Sequence, residues 1–363
     1  MADELRPFGN ADLRAAVAAN ILTEAQAASV IALADDRAGR RVAMPAEDEP
    51  FEFFRGFSEI FVSIGLLILF GGVAGFVALV GGIILLPLIC AAIAWWWAGY
   101  FTLKRRMNLP SMVLAVTFGA GLYTSAVMLL VNEDSPRFAV VASFLIAAAG
   151  MALWYRRFRL PFSAFVLGCF LLGAIYTTTA SFDSLGGFIG SSRFGVDGLF
   201  DLRESPQFAL ATLGFGIGAF LVAMWFDTCD PHRLGRHAAT AFWLHMLAAP
   251  ALVNTVALTL YNVGGALGIV TLALSLVAIA AMALVIDRRS FLTAAIGYIA
   301  IVLGWIVRSS SGDSAESWTL IAIVLGAFVT ALGTWWVPLR SALMRALPDF
   351  PGKSRLPPYA ETK

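Results

Sequence analysis

Apolar residues run along this chain in long unbroken blocks, with neither the four-residue stripe of a surface helix nor the alternation of a half-buried strand. Ten blocks contain no Asp, Glu, Lys or Arg, near 60–80, 83–103, 110–131, 138–155, 160–180, 206–226, 238–260, 265–286, 290–307 and 318–337. Each is about 18–23 residues, enough to cross a ~30 Å hydrocarbon layer at ~1.5 Å per residue. Backbone amides find no water there, so each block is expected to be helical. The weaker ~10-residue alternation of a membrane barrel is missing. The expected fold is therefore all-α, a polytopic transmembrane bundle of ten spans (57–338). The Gly81-Gly82 join is so tight that the first two blocks could be one run with a re-entrant break.

The polar remainder divides into a head, an exterior loop and a tail. Residues 1–56 read as a helical pair and an acidic linker: Ala11–Ala19 with Leu13 and Val17 on one face, a turn at Asn20-Ile21-Leu22, then a second helix. Thr23 and Gln26 have the spacing of a capping box, and Val30, Ile31 and Ala34 continue an apolar stripe. The stretch 43–52 is acidic and Pro-containing, hence a linker. The pair is too small to hold a core alone, so it should dock on the membrane domain, a second copy or a partner protein. The loop 181–205 spaces Phe182, Phe188, Phe194 and Phe200 six apart, as an interfacial loop or a lid. The tail 339–363 is basic and contains Pro.

The string Asn20-Ile21-Leu22-Thr23-Glu24-Ala25-Gln26-Ala27-Ala28 ahead of such a bundle resembles the soluble N-terminal motif of a bacterial family of predicted membrane proteins of unknown function. That motif runs Gly-hydrophobic-Ile/Leu-Ser/Thr-x-x-Gln-Ala, and Asn20 stands in the Gly place. The resemblance implies a bacterial inner-membrane protein and brings no reaction with it.

Composition agrees. Residues of the AVILMFWYC class make up 59% and charged residues 13%, about half the ~25% of soluble domains. Of 25 Lys and Arg, only Arg137, Arg193, Arg203 and Arg308 fall in the loops after odd-numbered blocks. The positive-inside rule then places both termini in the cytoplasm, and an even number of spans agrees. Trp95, Trp96, Trp97, Trp154, Trp225, Trp335 and Trp336 lie at the inner ends of even-numbered blocks, as an aromatic belt. No cleavable signal peptide precedes the first block. Cys90, Cys169 and Cys229 avoid the exterior loops and imply no disulfide framework. The basic residues form no nucleic-acid patch, and they favour anionic lipid along one membrane face.

A repeat is also expected. Arg105-Arg106-Met-Asn-Leu109-Pro110 opens the third block and Arg156-Arg157-Phe-Arg-Leu160-Pro161 the fifth. Ser111 then matches Ser163, and Tyr123-Thr124-Ser125 matches Tyr176-Thr177-Thr178. Arg288-Arg289-Ser-Phe-Leu292 begins the ninth block in the same way, which implies parallel two-helix units.

Three features carry candidate chemistry. Asp227, Asp230, His232 and His237 are candidate ligands for a metal such as Zn²⁺, although their spacing matches no metal signature and Asp230-Pro231 also reads as a helix start. His245 lies inside the seventh block, and Pro250 predicts a kink beyond which Asn254 and Thr255 could line a polar pathway. The hydroxyl clusters Tyr123/Thr124/Ser125 and Tyr176/Thr177/Thr178 either bond back to their own helices or face each other as a neutral polar site.

Absences narrow the field. With no Lys in a block and one deep His, neither a retinal Schiff base nor paired haem ligation is expected, and no cofactor is. No Asp or Glu falls in a block, which argues against carboxylate-coupled transport. No P-loop, Cys-x-x-Cys, His-Glu-x-x-His or Gly-x-Ser-x-Gly element occurs. The reading that follows is a transporter- or permease-like bundle for a neutral or lipid-like solute. A membrane scaffold or sensor with a partner-binding head comes second, and an enzyme or metal site at Asp227–His245 third.

Overall fold

The computed structural model describes residues 12–13, 16, 19, 21–22, 24–37, 56–79, 84–131, 135–179, 198–230, 236–289, 315–357 and 359. The ninth block, the linker 43–52, the Gly81-Gly82 join, Thr23 of the capping box, His232 and most of the exterior loop lie outside these residues. Every regular element among the described residues is helical. Helix α1 is Glu24–Arg37, in the head, where Leu13 and Ala27 are buried. The bundle follows: α2 (Phe57–Leu79), α3 (Leu86–Ala98), α4 (Asn108–Leu130), α5 (Pro136–Phe158), α6 (Phe162–Thr179), α7 (Pro206–Cys229), α8 (Arg236–Val263), α9 (Gly265–Ile286) and α10 (Ala315–Thr334). Helix α11 (Trp336–Ala346) closes the order.

Seven of these helices, α2 to α8, are long and apolar enough to cross a membrane, α3 by continuing through Lys104. Helices α9 and α10 cover the expected eighth and tenth blocks. Large apolar side chains such as Leu67, Ile68, Phe76, Phe138, Leu221 and Leu274 face outward. A multi-pass membrane protein presents such a surface to lipid.

Local chemistry explains the breaks. Pro136 and Pro206 open α5 and α7 at the position where a missing amide costs nothing. Arg159 and Asp287 end α5 and α9 in left-handed backbone, at φ 51° and 55°. Gly264, at φ 71°, makes the one-residue break between α8 and α9.

Packing centres on two places. Among α2 to α6, Trp95, Phe118, Trp154 and Phe158 interlock with ring centroids 4.6–5.7 Å apart. Gly121 brings α4 against α3 so closely that a Cβ there would sit 2.5 Å from the Pro87 carbonyl. In the second half α8 is the axial helix, touching α6, α7 and α9. Its apolar window is 67% buried, against 39% for the next highest, so α8 lies among protein rather than against lipid.

Two expectations are corrected. The aromatic belt is not uniform: Trp96, Trp225 and Trp335 are exposed, whereas Trp154 and Trp336 are buried inside the bundle. The helices long and apolar enough to cross a membrane also carry carboxylates, because they extend past the charge-free blocks. Helix α2 begins at Phe57 and includes Glu59; α7 runs to Cys229 and includes Asp227. Both are buried.

Candidate functional site

Helix α7 carries Asp227 in its last turn, where the carbonyl end of the helix dipole disfavours a carboxylate. The compensation comes from far along the chain. Arg288 follows the left-handed turn at Asp287 that ends α9, and its guanidinium reaches back to Asp227. Nε donates to Oδ2 at 3.1 Å and Nη2 donates to Oδ1, a two-pronged ion pair. Nη2 also donates to the Ala238 carbonyl of α8 at 3.1 Å. Arg288 Nη1 is buried and meets no acceptor among the described residues. Arg288 is 0% exposed and Asp227 6%.

His245 of α8 supplies the third member. Its Nε2 lies 2.8 Å from Asp227 Oδ2, and the residue is fully buried. A carboxylate only accepts, so Nε2 carries the hydrogen. The Phe220 ring closes over the imidazole edge-on at 5.5 Å. His245 stands nine residues past the start of α8, roughly 14 Å along the axis. The junction is thus a buried, charge-compensated knot that pins α7, α8 and the end of α9 together.

The adjacent Asp287 faces the other way. Trp336 Nε1 donates to Asp287 Oδ1 at 2.7 Å, and Arg340 Nε lies 3.5 Å from the same oxygen. Arg340 also donates to the Leu284 and Pro357 carbonyls at 3.2 and 2.6 Å. Burial lowers the Arg340 guanidinium from its usual value, while Asp287 and Tyr359 oppose that shift. One dipeptide, Asp287-Arg288, therefore ties α11 on one side and α7 with α8 on the other.

The remaining candidates fall elsewhere. His237 is exposed and stacks on Phe226 at 5.5 Å, and the Asp230 amide donates to the Asp227 carbonyl at 3.1 Å. Among the described residues no three His, Cys, Asp or Glu gather as metal ligands. Asp227, Asp230 and His237 do not converge, because Asp227 is taken by Arg288 and His245. Helix α8 continues through Pro250. Thr255 donates to the Ala251 carbonyl at 3.0 Å, and Asn254 is half-buried, its Oδ1 without a partner among the described residues.

The hydroxyl clusters do not form a shared polar site. Thr124 and Ser125 donate to the Ala120 and Gly121 carbonyls at 2.8 and 2.7 Å. Thr177 and Thr178 donate to Gly173 and Ile175 at 2.8 and 2.7 Å. Tyr123 stacks on Phe144 at 4.4 Å, and Tyr176 on Phe208 at 4.4 Å. Each serine and threonine satisfies itself on its own helix, the inexpensive solution in lipid.

Arg288 and Trp336 were expected only as a repeat start and a belt residue, and Asp287, Arg340 and Glu59 were not expected as site residues. The available signal was proximity: Asp227 and Glu59 stand one residue beyond the blocks at 206–226 and 60–80. Comparison with known proteins finds no matching family model, no matching curated protein and no matching solved structure.

Proposed function

We propose that this chain is a transporter- or permease-like protein of the bacterial inner membrane, moving a neutral or lipid-like solute, with Asp227–His245–Arg288 as the latch between α7–α8 and α9. The observation that carries this reading is a full ion pair and an imidazole buried at the junction of three apolar helices. Ionisable groups are expensive in such a place and are kept mostly where a pathway or a moving part needs them. Asp227 puts one carboxylate in a helix long and apolar enough to cross a membrane, but Arg288 and His245 hold it.

The finer organisation belongs to the same reading. It has ten spans in parallel two-helix units, both termini in the cytoplasm, anionic lipid against the basic face, and kinship with the family whose N-terminal motif the head resembles. The repeat draws support from the entries to α4 and α6. Both helices are entered through a left-handed residue, Arg106 at φ 53° and Arg159 at φ 51°, although Arg159 stands two places later in the Arg-Arg-x-x-Leu-Pro register. Ser111 and Ser163 then lie fully buried and bond back to Met107 and Leu160.

A second reading, a scaffold or sensor whose residues 1–56 bind a partner or a second copy, is favoured by the self-satisfied hydroxyls. Cysteine accessibility separates the two. In a background with Cys90, Cys169 and Cys229 replaced, single cysteines go in at Thr124, Thr178 and Ala249. Ala249 is buried one turn from His245. The transporter reading expects a water-soluble thiol reagent to reach Ala249→Cys, faster once Asp227→Asn opens the latch. Protection of all three cysteines in both backgrounds would refute it and leave the scaffold.

A further inference from the structure

Away from the ionic junction, a cleft of about 890 Å³ opens between α2 and α3. Val62, Leu66 and Leu69 of α2 face Trp97 and Phe101 across it, and Lys104 with Arg157 of α5 supplies positive charge at one end. Among the described residues no Asp or Glu lines it. Glu59, the acidic residue in the first turn of α2, is occupied elsewhere: its Oε2 accepts the Asn108 and Leu109 amides, each at 3.1 Å.

One backbone feature marks the cleft wall. Helix α3 widens at its end into a π-helical turn, Gly99–Lys104, where the Arg105 amide bonds the Tyr100 carbonyl five residues back at 2.9 Å. Such turns are rare and concentrate at functional positions. Here the turn lends Gly99, Tyr100, Phe101, Leu103 and Lys104 to the cleft wall. The glycines on the two walls, Gly65 and Gly99, are not close-packing devices either. A Cβ at either would meet nothing within 4 Å, unlike Gly121.

We propose that this cleft binds one anionic phospholipid, its phosphate against Lys104 and Arg157 and an acyl chain along the Leu66–Leu69–Trp97 wall. The charge is matched at one end and the apolar wall at the other. Tyr100 stands between them, its hydroxyl accepting from Arg105 Nε at 2.9 Å and free to donate its own hydrogen to a phosphate oxygen. The proposal needs the chain to lie in a bilayer but is independent of the latch and of solute movement.

The test is native mass spectrometry of the full chain released from nanodiscs holding equal phosphatidylglycerol and phosphatidylcholine. The wild type should keep one phosphatidylglycerol in preference to phosphatidylcholine. The K104Q/R157Q double variant should lose that preference about tenfold or more, since each basic residue contributes roughly fivefold to anionic-lipid binding. Gly65→Phe fills the cleft with the charges untouched and should also shed the lipid, as should Leu69→Trp if Gly65→Phe misfolds. Equal retention of both lipids by the wild type would overturn the site. So would undiminished phosphatidylglycerol on K104Q/R157Q. Phosphatidylglycerol kept by the folded occluding variant would assign the lipid to the open bundle surface and overturn it as well.

Discussion

Replacing Asp227 by Leu leaves the Arg288 guanidinium buried with no counter-charge among the described residues. The carboxylate accepts three hydrogen bonds, two from Arg288 and one from His245, and both partners are fully buried. Breaking a buried ion pair from one side costs about 3–5 kcal/mol, or roughly 10²- to 10⁴-fold in the folded-to-unfolded ratio. Arg288→Met should cost a similar amount, because it leaves the buried carboxylate with only the His245 hydrogen bond. The double variant Asp227→Leu/Arg288→Met should recover most of the loss, since no unpaired charge remains and two apolar side chains occupy the space. His245→Phe should cost less, about 1.5–3 kcal/mol for one charge-assisted hydrogen bond. Equilibrium unfolding in mixed SDS and dodecyl maltoside micelles, followed by circular dichroism, gives the four values of the cycle. A double variant as unstable as the sum of its parents would refute the reasoning, as would single costs below about 1 kcal/mol.

Gly121→Ala should destabilise by about 1–3 kcal/mol, because its Cβ meets the Pro87 carbonyl, backbone that cannot swing away. Gly72→Ala in α2 meets nothing within 4 Å and should be neutral or slightly stabilising in the same micelle assay. Glu59→Ala removes the carboxylate that caps the N-terminus of α4 from another helix, and should cost about 1–2 kcal/mol. Glu59→Gln, which keeps an acceptor, should retain most of the thermal midpoint. Trp336→Phe should cost about 1–2 kcal/mol by stripping Asp287 of its indole donor. Trp154→Phe should cost less than a buried Trp usually does, because its Nε1 has no acceptor among the described residues.

Helix positions were legible because the bilayer demands long charge-free blocks, and the described helices overlap nine of the ten. Their ends were less legible for a physical reason: hydropathy marks where charge begins, not where hydrogen bonding stops. Helix α7 continues three residues past its block and carries Asp227 inside; α2 starts three residues before its block and does the same with Glu59. Arg288 read as one more orienting charge, since nothing local reveals a partner 61 residues away. The Trp residues misled similarly. Helices apolar on every side hide which face meets lipid, so Trp154 and Trp336 looked like Trp96 and Trp225. The hydroxyl clusters were legible in one of their two readings, because back-bonding of Ser and Thr is a local effect.

Magic-angle-spinning NMR on the labelled chain in lipid bilayers tests the junction most directly. Arg288, assigned by the loss of its guanidinium signal in Arg288→Met, should show dipolar contact between its side-chain nitrogens and the Asp227 carboxyl carbon, with side-chain protons protected from water exchange. An Arg288 guanidinium that exchanges freely with water and shows no contact with Asp227 would contradict the buried latch.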